Sequence, residues 1–161
     1  MNPVRKLRDG FQKSVISFSL LALSFALMPV PYLFDGVMQR ICFIFNGLLF
    51  WASLISGTVS SVKSSRIAAA LYRDEPEAAK VRALAPGLFR FFTNRTASVF
   101  DLLLLADIAA AVAAAILKPK STAAVFIIIS IAVFSLSMHC LFNGKIYRLT
   151  KIRTYKERKT K

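Results

Sequence analysis

Asp107 is the residue of this sequence best placed to do unusual chemistry, because it is an acid in the middle of an apolar run. It lies eight residues from Val99, which is about 12 Å along a helix. If the run crosses a bilayer, a carboxyl group there costs roughly 2.5–3.5 kcal/mol and requires a partner, a proton or water. Asp107 therefore either binds a proton or cation in a translocation path, or is a protonated acid bonded to a serine. The candidate serines on neighbouring runs are Ser24, Ser53 and Ser56.

The residues around Asp107 predict which way it points. Ala110, Ala111 and Ala114 lie on the same helical face, three, four and seven residues further along. Larger apolar residues, including Val112, occupy another face that suits lipid. We therefore expect Asp107 to point toward other helices along a face of small residues, which also makes these alanines candidate packing positions.

His139 and Asp101 form a second pair of candidate residues. His139 lies near the end of the last apolar run, at a depth that matches Asp101 near the start of the run before it. A contact between them would tie two helices together, and a proton-relay role for His139 is the alternative. Asp101 also follows Ser98 at the spacing of a helix cap, which is the role we expect for both. It points about 120° away from Asp107, so the two acids do not form a carboxyl pair.

Motifs of the common enzyme classes are absent from the sequence. It contains no HExxH, GxSxG, P-loop or glycine-rich dinucleotide motif. One His and two Cys without a CxxC argue against a closed zinc site. Cys42 and Cys140 belong to opposite ends of their runs, too far apart for a disulfide. We expect no catalytic residue, no metal and no cofactor.

Four long apolar runs must position these residues, in a chain that is 56% hydrophobic. Each is long enough to cross a bilayer as a helix, for which about 20 residues suffice. The predicted spans are residues 14–33, 41–62, 99–117 and 122–142. A signal peptide with a cleavage site is the alternative for the first, but its apolar residues continue beyond such a site, so we expect an uncleaved span.

The basic residues predict how these spans are oriented. Of the 22 Lys and Arg, 19 lie in the N-terminal arm, the segment 63–98 and the tail 143–161, and three lie in the two alternate loops. Cationic segments stay on the cytoplasmic side, so both termini are predicted to be cytoplasmic. The net charge of +14 flanks the spans instead of covering one face, which argues against nucleic acid as the partner. Anionic lipid bound by the basic tail is a further prediction.

Small residues predict where the helices touch. Ser53, Gly57 and Ser61 recur every four residues in the second span, a spacing that lets two helix backbones approach closely. Residues 66–72 can continue this span as a helix. Another helix is expected over residues 77–84, after a proline and acids suited to a first turn. The tail shows no clear amphipathic pattern, so we expect it to be mobile or lipid-bound.

Two stretches carry a resemblance to a known group of proteins. Residues 86–92 (PGLFRFF) and 138–147 (MHCLFNGKIY) resemble an uncharacterised group of small four-span bacterial membrane proteins. The resemblance implies a four-span fold in the bacterial cytoplasmic membrane and implies no activity. It singles out His139 and Asn143 as residues to mutate.

These patterns predict an all-α, integral membrane four-helix bundle formed by a single domain, residues 1–161. The expected role is non-enzymatic: packing against, anchoring or regulating an unknown membrane partner or a second copy of the chain. A small transporter or channel subunit that uses Asp107 is the alternative, and an intramembrane enzyme is the third hypothesis.

Overall fold

The computed structural model describes residues 3–74, 89–92, 94–117 and 121–151. Most of this part lies in four helices, which are α1 (Pro3–Ala26), α2 (Gly36–Asp74), α3 (Arg95–Leu117) and α4 (Thr122–Asn143). A short 3-10 helix, Val30–Leu33, lies between α1 and α2, and residues 145–151 form a further helical segment. The described ranges contain no strand, which confirms the predicted all-α class.

All four helices are long and apolar enough to cross a membrane. The 23 residues of α3 and the 22 of α4 correspond to about 34 Å, close to the thickness of a bilayer core. Helix α2 has 39 residues and is therefore about 58 Å long. Its last turns extend past the apolar segment, so the predicted helical continuation over residues 66–72 is confirmed.

Helix α1 begins well before the predicted start of the first span at residue 14. Val4, Leu7, Phe11 and Ser14 are buried on one face, while the cations Arg5, Lys6, Arg8 and Lys13 are exposed. The basic arm is thus the amphipathic first half of α1. The α-helix also ends before the predicted span does. Helix α1 stops at Ala26, and the rest of the span is a turn followed by the 3-10 helix, with Pro29 and Pro31.

The N-terminal end of α1 and the C-terminal end of α2 pack together with the segment 145–151. Leu7, Ala68, Leu71, Tyr72 and Leu149 form one buried apolar cluster. The Tyr72 hydroxyl also donates a hydrogen bond to the Lys145 carbonyl at 2.8 Å. The expectation of a mobile tail is therefore wrong for residues 145–151, whereas lipid binding by the tail stays a prediction. Residues 152–161 and the helix expected over 77–84 lie outside the described residues.

The four helices lie in the order α2, α1, α4, α3. Helix α1 packs between α2 and α4, and α3 packs on the other side of α4. Within the described residues, α3 does not approach α1 or α2 closely, and α2 does not approach α4. The helices thus form an open row, whereas a closed four-helix bundle would bring the first and last helices of this row together.

Candidate functional site

The structure brings Asp101 and His139 together where the N-terminal part of α3 meets the C-terminal part of α4. The His139 Nδ1 atom and the Asp101 Oδ1 atom form a hydrogen-bonded pair. Both side chains are only 1% exposed. Two ionisable groups removed from water in this way stabilise one another, and losing either leaves the other buried without its partner.

Asp101 also holds the loop that leads into α3. Its Oδ2 atom accepts a hydrogen bond from the Phe92 N–H at 2.7 Å. Phe92 has a positive φ of 58°, a left-handed conformation that is uncommon for a bulky residue. The two oxygens of Asp101 thus join α3 both to α4 and to a strained residue of its own loop.

The same loop is bound to α4 at two more points. The Asn143 side-chain amide donates to the Arg90 carbonyl at 2.9 Å. The Phe91 ring stacks on the His139 ring, with centroids 4.5 Å apart. The described residues of the stretches 86–92 and 138–147 therefore contact each other directly. We call Arg90, Phe92, Asp101, His139 and Asn143 the α3–α4 polar cluster.

The predicted cap of α3 by Ser98 and Asp101 is wrong. Helix α3 begins at Arg95, and the Asn94 side chain accepts a hydrogen bond from the Thr96 N–H at 3.2 Å. Both the N–H and the hydroxyl of Ser98 donate to the Asn94 carbonyl instead. Asparagine is among the best N-cap residues, so residue type pointed to this earlier start.

Asp107 is buried, but the structure corrects its predicted environment. The residue is 5% exposed, and its Oδ1 atom has no hydrogen-bond partner among the described residues. The three candidate serines have other partners. Ser24 and Ser53 donate to the carbonyls of Leu21 and Leu49, and Ser56 pairs with Ser17.

Ser135 on α4 lies at a depth similar to that of Asp107. Counted outward from the Asp101–His139 pair, Ser135 is about 6 Å and Asp107 about 9 Å along their helices. The Ser135 hydroxyl is also buried and unpaired within the described ranges. Buried polar atoms are normally hydrogen-bonded. The two unpaired atoms at similar depth in this interface therefore require a proton, a water or an ion as a partner.

The small residues of α2 lie where α2 meets α1. A Cβ atom placed on Gly57 would be 3.2 Å from Phe18 Cζ and 3.3 Å from Ser17 Cβ. Ser53 is buried, and the Ser61 hydroxyl donates to that of Ser14 at 3.1 Å. This close approach matches the expected role of small residues in packing helices inside a bilayer.

The alanines of α3 behave differently from the prediction. Ala110 and Ala111 are exposed and Ala114 is half-buried, so they form no packing face among the described residues. The reason is the open row of helices, which leaves α3 with α4 as its only close helical neighbour among the described helices.

No protein-family model matches the chain, and neither a curated protein nor a solved structure matches it. In the parts of the chain that the structure describes, no three His, Cys, Asp or Glu side chains are grouped so as to hold a metal ion. Function therefore has to follow from the geometry of the described residues.

Proposed function

We propose that the chain is a multi-pass protein of the bacterial cytoplasmic membrane, with both termini in the cytoplasm. Four helices of sufficient length and hydropathy support the membrane placement. The buried cluster around Leu7, Tyr72 and Leu149 supports the orientation, because it gathers the basic arm, the end of α2 and the segment 145–151 at one end of the molecule. These are the segments that positive charge retains inside.

Within that membrane, the chain has a non-enzymatic role: it binds a helix of a partner membrane protein through α3, and so anchors or regulates that partner. The observation that carries this proposal is the exposure of Ala106, Ala110 and Ala113. They recur at helical spacing on one face of α3, which packs on α4 alone among the described helices. Small residues are enriched where membrane helices touch, and large apolar residues suit lipid equally well elsewhere.

Photo-crosslinking in intact membranes tests this role. With a benzophenone amino acid at Ala110, we expect a single protein adduct approaching one partner per chain, identified by mass spectrometry as another protein or a second copy. The matched control is the same group at Val59, an exposed residue of α2, where only lipid adducts are expected. Lipid adducts alone at Ala110, together with a monomeric chain in native vesicles, would refute the proposal.

A second candidate function is transport or channel activity that uses Asp107. The Asp107 Oδ1 atom favours it, because this atom is buried and has no hydrogen-bond partner among the described residues. A carboxyl group in hydrocarbon is costly without a partner, a proton or water. Asp107→Asn keeps the shape and removes the charge. Here we expect proton or cation flux in proteoliposomes to fall to the background of empty liposomes, while the protein still folds. Unchanged flux in a folded Asn variant would eliminate this candidate.

A further inference from the structure

A lateral groove lies between α2 and α4, because both pack on α1 and do not approach each other closely. Its volume is about 770 Å³, within the range of about 300–1,000 Å³ that is usual for small-molecule sites. Phe11, Ser14 and Phe18 of α1 form its floor, and these residues cover two helical turns. Gly144, Lys145 and Ile146 border its inner end.

The walls of the groove combine hydroxyl groups with apolar surface. Five serines from three helices contribute to the lining: Ser14, Ser61, Ser64, Ser65 and Ser137. Ser64 is only 1% exposed, and its hydroxyl has no hydrogen-bond partner among the described residues. Leu136 and Leu141 supply apolar wall on the α4 side. The Ser64 oxygen faces Gly10 of α1, so the exposed Ser65 is the serine of the α2 wall that a ligand can reach.

The charge at one end of the groove indicates what kind of ligand fits. Lys145 is exposed at the inner end, and its backbone is held by the hydrogen bond from Tyr72. Arg66, which follows the lining residue Ser65, and Lys151 are also exposed. The groove thus has a cationic, hydroxylated inner end and an apolar outer part, which is the complement of an anionic amphiphile.

We propose that this groove is a binding site for one anionic phospholipid of the inner leaflet. An acyl chain lies over Phe11 and Phe18 between α2 and α4, and the phosphate lies at Lys145. The proposal rests on the membrane placement proposed above, but not on partner binding by α3. Basic residues at the inner surface attract anionic headgroups, and this geometry adds a shaped apolar slot to that general attraction.

Native mass spectrometry of the full chain, with phosphatidylglycerol or phosphatidylcholine added to the detergent, tests the lipid preference. We expect one phosphatidylglycerol per chain at concentrations where phosphatidylcholine does not bind. Lys145→Gln is expected to weaken phosphatidylglycerol binding about fivefold, the usual effect of one basic residue near a membrane surface. The matched control is Lys63→Gln, an exposed inner lysine of α2 outside the groove lining. Equal binding of the two lipids, or equal losses in the two variants, would overturn the proposal.

Cys140 provides an independent measure of occupancy, because it is exposed and lines the groove. In a Cys42→Ser background, alkylation of Cys140 by N-ethylmaleimide should slow in vesicles that contain phosphatidylglycerol, compared with phosphatidylcholine alone. Ser65→Leu, which fills the groove, should abolish that lipid dependence, whereas Thr58→Leu, on exposed surface outside the groove, should preserve it. Lipid-independent alkylation in the Cys42→Ser background, or lipid dependence that survives Ser65→Leu, would place the lipid elsewhere.

The two proposals fail in distinguishable ways. Resistance to carbonate extraction reports on membrane insertion alone, and the Ala110 adduct reports on α3. A chain that stays inserted and still crosslinks through α3, yet shows no preference for the anionic lipid, loses only the groove proposal.

Discussion

Replacing Asp101 by alanine is expected to lower the free energy of unfolding by about 3 kcal/mol. The substitution removes the hydrogen-bond acceptor of the Phe92 N–H and the buried partner of His139 at the same time. Because His139 is only 1% exposed, it does not regain its lost interaction from solvent. Unfolding by sodium dodecyl sulfate in mixed micelles, followed by far-ultraviolet circular dichroism, measures the effect.

A double-mutant cycle shows whether this cost belongs to the Asp101–His139 pair. The Asp101→Ala and His139→Ala substitutions together should cost clearly less than the sum of their separate effects, because each alone leaves a buried polar group without its partner. Asp74→Ala is the control, since Asp74 pairs with Arg73 on exposed surface among the described residues and its loss should change stability by less than about 0.5 kcal/mol. Strict additivity would show that the two residues stabilise the fold independently.

A leucine at Gly57 is expected to produce the second large effect, a loss of about 3 kcal/mol or of the folded chain altogether. A Cβ at this position already meets Phe18 and Ser17 at 3.2 and 3.3 Å, so a longer side chain has to push α1 away from α2. The same unfolding measurement applies, together with the fraction of protein that elutes as a single species in detergent.

The matched control for this substitution lies in the same helix. A Cβ placed on Gly47 would meet no described atom within 4 Å, apart from its chain neighbours and the backbone of its own helix. Gly47→Leu should therefore leave stability unchanged or raise it slightly, because leucine is a better helix former than glycine. Equal losses at both positions would mean that glycine itself, and not the closeness of α1 and α2, is what α2 requires.

The two effects bear on function because they concern different parts of the row of helices. Gly57 lies at the α1–α2 contact, which also forms the floor and one wall of the groove. The α3–α4 polar cluster instead sets how α3 and its loop lie against α4. A folded Asp101 variant is therefore expected to impair crosslinking through Ala110 more than lipid binding in the groove.

Much of the fold could be predicted from the sequence because hydrocarbon restricts the structures that a chain can adopt. A segment that crosses it must satisfy its backbone hydrogen bonds internally and present apolar side chains, so length and hydropathy locate the helices. The ends of α3 and α4 agree with the predicted spans to within a few residues. The start of α1 was missed because charged residues masked an amphipathic pattern of Val4, Leu7 and Phe11.

The candidate site was less accessible to prediction, for reasons that individual residues illustrate. Equal depth on adjacent helices indicated that Asp101 and His139 could meet, although capping of α3 was the role expected for Asp101. It could not show that Asp101 also holds Phe92, because that contact depends on a loop conformation with positive φ. Asn143 was singled out by resemblance alone. In the structure, its side-chain amide donates to the Arg90 carbonyl and so joins the loop before α3 to the end of α4.

By itself, the sequence determined the helical class, the four segments suited to a membrane and the concentration of positive charge in alternate segments. These features depend only on local composition and on transfer from water to hydrocarbon. Only the tertiary structure decided the order of the helices in the row, the exposure of the α3 alanines, the groove and the partners of each buried polar group. These depend on which faces meet, and many helix faces of similar hydropathy are equally acceptable to lipid. Shape and hydrogen bonding between distant residues, such as Gly57 with Phe18 or Asp101 with His139, select among them.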